Sequence, residues 1–320
     1  MPIVAVQGNN TVGAFCALTA ILCFSFVDLG IKLLSDGYAL HHVVLLRSLV
    51  SLVVFLAIIM PISGGWRVFY TRRPGAHLLR GMFIVCANAC LFLGLAALPI
   101  ADAVAIFFIS PLAIAVMSVI FLKETVGPRR WCAIAVGLIG VLLIVQPGTE
   151  AFQLASLLPA IAALLYGAMH MVTRKVRDTE SAGTMTIYVI ITFLVSSAII
   201  GAAIGDGRYA ADAHPTLSFL LRAWGPVAPG DIWVIVMLGV AGVAGSWLIS
   251  QAYRLSEAAF AAPFEYVAMP IAIFWGAVFF DTWPTLNAWA GIVLILGSGL
   301  YMLWREHRIS GAPPAPRYRR

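Results

Sequence analysis

The sequence predicts an all-α integral membrane protein: ten transmembrane helices in two inverted five-helix repeats. Three observations carry that prediction. First, 62% of the 320 residues are hydrophobic and only 11% are charged, with a mean hydropathy of +0.97. A soluble domain carries about 25% charged residues, and a globule of this composition has too little polar surface to cover itself. Second, ten apolar stretches have roughly the 20-residue length that a helix needs to cross the hydrocarbon core. Third, the second half of the chain resembles the first.

The ten stretches run 11–34, 40–62, 76–98, 100–121, 129–146, 153–173, 184–205, 231–254, 258–280 and 285–305. Short turns marked by Gly, Pro or charge separate them, among them SDGYA, RRPGA, KETVGPRR, QPGTE and DTWP. The alternation of polar and apolar residues over about ten positions that marks a membrane β-barrel strand does not occur. In the long connection 206–230, the stretch HPTLSFLLRAW reads equally as a short helix along the membrane interface or as a plain loop.

Basic residues set the orientation. With the N-terminus in the cytoplasm, sixteen of the twenty Lys and Arg fall on the inner side, in the loops holding Arg67 to Arg80, Lys123 to Arg130, Arg174 to Arg177 and Arg254, and in the tail. Three fall outside, at Lys32, Arg208 and Arg222. The positive-inside rule therefore places both termini in the cytoplasm. The net charge of +6 is accounted for by this bias and calls for no nucleic-acid partner. Residues 1–10 lack the basic region of a cleavable signal peptide. Cys16, Cys23, Cys86, Cys90 and Cys132 all lie in apolar stretches, where small packing residues are the ordinary reading; no metal site or cofactor motif is present.

At a shift of 157 residues, ADAVAIFFISPLAIAVMSVIFLKET overlays AAFAAPFEYVAMPIAIFWGAVFFDT, with Phe107 on Phe264, Glu124-Thr125 on Asp281-Thr282 and, beyond, Gly140 on Gly297. Two repeats follow, 11–146 and 153–305, with a basic tail at 306–320. Five spans per repeat is odd, so the second repeat enters the membrane from the opposite side, as in many secondary transporters. Such a pair supports alternating access to a site between the halves.

This pattern resembles the drug/metabolite transporter superfamily in its EamA-type branch. The resemblance rests on the ten spans, the acidic-Thr turns FLKETVGP and FFDTWP closing the fourth span of each half, and the Gly-rich fifth spans AIAVGLIGVLL and GIVLILGSGL. It implies gradient-driven transport of a small metabolite (amino-acid-like, aromatic, nucleoside-like or flavin) across a bacterial inner membrane, by ion or proton coupling or by exchange. The chain has no Walker-type nucleotide loop, in keeping with a gradient-driven device. The alternative class is an integral membrane enzyme; no HExxH and no dense polar cluster supports it. Lipid is the surrounding partner, and a homodimer is left open.

Ionisable groups inside a membrane cost roughly 2.5–3.5 kcal/mol each at a helix centre and need a partner or a wet cavity. Asp28 and Arg47 lie at similar depth on adjacent antiparallel spans, with Lys32 one turn beyond Asp28. They read either as a substrate-contacting or gating cluster or as a structural ion pair with Lys32 reaching outward. Glu265, next to Tyr266 and between Pro263 and Pro270, reads as a cation-binding or proton-exchanging carboxylate on a broken helix. Its alternative is an acid offsetting the helix dipole at the inner surface. Asn88 and Gln251 join the candidate set because a buried amide wants a partner; His170, near the inner end of the sixth span with Tyr166 one turn before it, reads as a further candidate or as a satisfied residue at the membrane interface.

Overall fold

The computed structural model describes residues 10–122, 128–147, 153–176, 179–210, 215–255 and 265–310. Pro263 and the start of the ninth stretch, the turn with Glu124 and Thr125, the tail beyond 310 and the side chain of Tyr253 lie outside the described residues. Twelve α-helices of seven or more residues are described. They are α1 (Asn10–Leu34), α2 (Leu40–Val54, continuing through a π-helical turn Phe55–Ile59), α3 (Pro74–Ala97), α4 (Ile100–Phe107), α5 (Ser110–Leu122), α6 (Pro128–Val145), α7 (Leu157–Val176), α8 (Ala182–Ile204), α9 (Pro215–Leu221), α10 (Ile232–Leu255), α11 (Ala268–Phe280) and α12 (Leu286–Ser310). The described residues contain no strand.

Among the described residues seven helical segments are long and apolar enough to cross a membrane, α4 and α5 together forming one of them. The stretches read as spans five, nine and ten are shorter apolar helices, Trp131–Val145, Ala268–Phe280 and Leu286–Tyr301. The exterior is apolar: Phe15 is 70% exposed and Val53 66%. Exposed aromatic residues mark both ends, Trp66 and Tyr70 at one, Trp233 and Trp283 at the other, where amphipathic rings meet a membrane–water boundary.

Local chemistry explains where helices begin and end. Pro74, Pro128 and Pro215 open α3, α6 and α9 at the position where a missing N–H costs nothing. Ser181 accepts a bond from Thr184 N at 3.0 Å and caps α8. Asp281 takes the left-handed conformation after α11, at φ 48°, and Thr282 donates to the Gly276 carbonyl from both its amide (3.0 Å) and its hydroxyl (3.1 Å). The Asp-Thr turn is thus a helix stop, closing carbonyls that α11 leaves open. The HPTLSFLLRAW stretch does contain a short helix, α9, and Trp224 beyond it stacks on His42 at the start of α2.

The packing is reciprocal. α1 lies on α10 and α3 lies on α7; α2 meets both α8 and α10, while α8 meets α2 and α3; α6 pairs with α12, and α4 with α11. The α6–α12 contact is the tightest: a Cβ on Gly140 would sit 2.7 Å from the Gly291 carbonyl oxygen, and one on Gly291 2.5 Å from that of Gly140. Only glycine lets two backbones approach this closely.

Polar bonds tie the halves together at both ends. At one end Tyr38 donates to Asp231 Oδ2 at 2.6 Å and accepts from Ala228 N at 3.0 Å, while Arg222 donates to the carbonyls of Ser35 and Tyr38 at 2.8 and 3.1 Å. The bond to Asp231 raises the pKa of the Tyr38 phenol above its ordinary value. The phenol therefore stays a donor at physiological pH and loses this bond only as pH rises through that raised pKa. At the other end Thr71 donates to Glu180 at 2.9 Å, and Glu180 lies 3.4 Å from His77, whose ring stacks on Tyr188. Tyr38→Phe removes both hydroxyl bonds of the first clasp and is expected to lower the unfolding temperature in detergent; an unchanged Tm would show that this clasp does not hold the halves.

Candidate functional site: two helix breaks facing each other

Turns precede two helices at matching places. Between α4 and α5 the chain turns at Phe108 and Ile109; before α11 it turns at Tyr266 and Val267. The 157-residue offset of the repeat carries Phe108 onto Glu265 and Ile109 onto Tyr266. Pro111 and Pro270 fall in the first turns of α5 and α11, where no intrahelical bond is lost. Pro270 therefore does not kink the helix, contrary to the expectation; the interruption precedes α11. Backbone irregularity at this depth survives only where protein or a cavity satisfies it. The two breaks touch, the Phe108 and Tyr266 rings being 5.3 Å apart.

Around this contact sits a polar group. Tyr166 on α7 packs against Phe107 at 5.4 Å and edge-on against His170 at 4.5 Å. Glu265, half-buried, acts electrostatically on both Tyr166 and the buried Tyr266. Arg80 acts on Tyr166 and His170 from α3, and is fixed by bonds from Nε to Thr173 Oγ1 (2.9 Å) and from Nη1 to the Met185 carbonyl (3.0 Å). Glu265, Tyr266 and His170 are thus brought together. The sequence reading placed Arg80 in a loop and missed it; its position seven residues into an apolar helix opened by Pro74 was the available signal.

Of the other candidates, Asp28, Arg47 and Asn88 lie nearer the Tyr38 end and Gln251 toward the opposite end of α10. Arg47 is buried at 7% exposure, with Cζ 5.3 Å from the Phe92 ring and 4.9 Å from the Phe193 ring. Asp28 acts on it electrostatically, but no ion pair within 4.0 Å joins them among the described residues. Lys32 does not continue an Asp28 pair. It donates to the Leu95 and Leu98 carbonyls at 2.7 and 2.5 Å and lies over the Phe280 ring, because the C-terminal carbonyls of α3 are the open acceptors at that depth. Asn88 bonds back to the Ile84 carbonyl at 2.9 Å, so its amide is spent within its own helix. Gln251 is half-buried on α10, one turn beyond Trp247, whose indole N–H is buried without a partner.

A cavity of about 360 Å³ opens beside Lys32, Pro99 and Phe280, and a second of about 320 Å³ lies between α6 and α12. Neither is lined by Phe108 or Tyr266. Among the described residues no His, Cys, Asp and Glu cluster suits a metal ion.

Comparison with known proteins follows the same lines. The model of the EamA-like transporter family matches residues 11–146 and 153–304. A riboflavin transporter of Rhizobium johnstonii is 30% identical over 249 residues, 78% of this chain and 76% of that protein. One of Vibrio cholerae is 28% identical over 303 residues, 93% of this chain and 95% of that one. An S-adenosylmethionine uptake transporter of Rickettsia felis is 24% identical over 291 residues, 91% and 92% of the two. A solved crystal structure superposes with a TM-score of 0.63 at 17% identity, covering 92% of this chain and 98% of its own, which supports the fold.

Proposed function

Because the chain belongs to the EamA-like transporter family, we propose that it is a ten-helix secondary transporter that carries a flat heteroaromatic metabolite, riboflavin or a relative of it, by alternating access. The observation that carries this reading is the contact of two turns, each opening onto a helix, at Phe108 and Tyr266, one from each half of the chain. Discontinuous helices meeting between repeats are where secondary transporters hold substrate. The reciprocal pairing of α1 with α10 and α3 with α7 is the pattern two inverted repeats would give, and the Lys and Arg bias supports cytoplasmic termini.

Aromatic side chains at the breaks offer faces for a ring system, and Tyr166, Tyr266, His170 and Glu265 offer polar groups at its edge. Glu265 is the proton- or cation-exchanging group in this scheme, with Arg80 fixed nearby as a constant positive charge. The clasps at the two ends alternate: opening the Tyr38–Asp231 bond admits solute at one face while Thr71–Glu180 holds the other. Riboflavin and S-adenosylmethionine transport by the relatives supports the substrate class. Thermal shift of the purified protein tests it. Riboflavin at 100 times its dissociation constant should stabilise the fold by about 2.7 kcal/mol, a rise of several degrees. No shift with riboflavin, S-adenosylmethionine or other flavins and nucleosides would contradict the reading.

A further inference from the structure

Among the described residues two arginines sit within the apolar helices, Arg47 buried and Arg80 half-buried, and they are treated differently. Arg80 is fixed by Thr173 and by the Met185 carbonyl. Arg47 has Nε and Nη2 both buried and both without a hydrogen-bond partner. These two nitrogens share one edge of the guanidinium, and their N–H bonds point the same way as a fork. That edge is the one that grips two acceptor atoms in a plane. Leaving two charged donors unmade in a nonpolar interior is costly, so the arrangement calls for an occupant.

The surroundings define its chemistry. The rings beside Arg47, Phe92 on α3 and Phe193 on α8, come from the two halves, so the fork lies where relative motion of the halves would be felt. On α10, Gly242 faces the other terminal nitrogen: a Cβ there would make ordinary contact, 3.6 Å from Arg47 Nη1 and 3.9 Å from Ser51 Oγ. Asp28 is near enough to act on the charge but does not close the fork. A structural staple would have the carboxylate on the guanidinium.

We infer that the Nε/Nη2 edge of Arg47 is a substrate-binding fork for a planar pair of acceptor atoms, either a carboxylate or the carbonyl and ring-nitrogen edge of a heterocycle. The inference rests on the transporter reading and extends it by naming the substrate edge that is held. Lysine keeps the charge but cannot present the fork.

The test is uptake into proteoliposomes by wild type and Arg47→Lys, with riboflavin as the heterocycle probe and S-adenosylmethionine as the carboxylate probe. Losing a charge-assisted pair raises KM roughly 10- to 100-fold, for whichever probe wild type moves, with the maximal rate and Tm close to wild type. A KM within twofold of wild type overturns the fork while leaving transport intact. If wild type moves neither probe, the transporter reading itself fails and the fork with it. Should Arg47→Lys not fold, Asp28→Asn decides. It retains the fork, so it should fold and still be stabilised by the transported probe. If it unfolds as well, the two charges are a structural pair and the inference is wrong.

Discussion

Glu265→Gln is expected to reduce uptake roughly tenfold or more and to flatten its dependence on pH. The substitution keeps the size of the side chain and removes its charge and its proton exchange. Glu265 stands at the break before α11, acting on Tyr166 of α7 and on Tyr266, so a loss here alters the site without removing a packing group. Charge-assisted hydrogen bonds are worth about 1.5–3 kcal/mol, which sets the tenfold scale. Reconstituted uptake across a pH series reads both effects. Unchanged flux with an unchanged pH profile would make Glu265 a structural acid at a helix start.

The second large effect concerns stability. Gly140→Val is expected to cost about 3 kcal/mol or more, at or above the upper end for overpacking. Overpacked cores usually yield by moving side chains. Here the nearest atom to the new Cβ is a backbone oxygen of α12, at 2.7 Å, with Ile295 Cγ1 at 2.9 Å. The helices must separate, and the α6–α12 contact is lost. Gly297→Ala on α12 is the control, since a Cβ there meets nothing within 4 Å and alanine favours the helix by about 1 kcal/mol. Thermal unfolding in detergent compares the two. Equal Tm values for both variants would mean that backbone approach at Gly140 does not hold these helices.

Much of the helical architecture was legible because hydrophobic length and turn chemistry are local properties. Pro74, Ser181 and the Asp281-Thr282 stop each act through their own backbone neighbours. The repeat pointed to Glu265 because one half has a carboxylate where the other has an apolar residue. Properties that depend on three-dimensional approach were not legible. The offset aligns Gly140 with Gly297, yet the close contact is with Gly291, because which glycine meets which depends on the crossing of α6 and α12. Charge was the weakest guide. Lys32 and Arg80 were counted by side of the membrane, but each is drawn onto backbone carbonyls of a neighbouring helix, a competition that sequence spacing does not reveal. Arg47 was noted as a partner for Asp28, whereas its unfilled fork follows only from where Phe92, Phe193 and Gly242 sit.

The central claim is that the two halves, meeting at Phe108 and Tyr266, pass a flat heteroaromatic solute between them. Exchange of labelled riboflavin in proteoliposomes tests it most directly. Vesicles loaded with unlabelled riboflavin should take up the labelled compound saturably and faster than unloaded ones, because a bound solute returns the carrier to the opposite face. Uptake indistinguishable from that of protein-free vesicles, for riboflavin and for S-adenosylmethionine alike, would contradict the account.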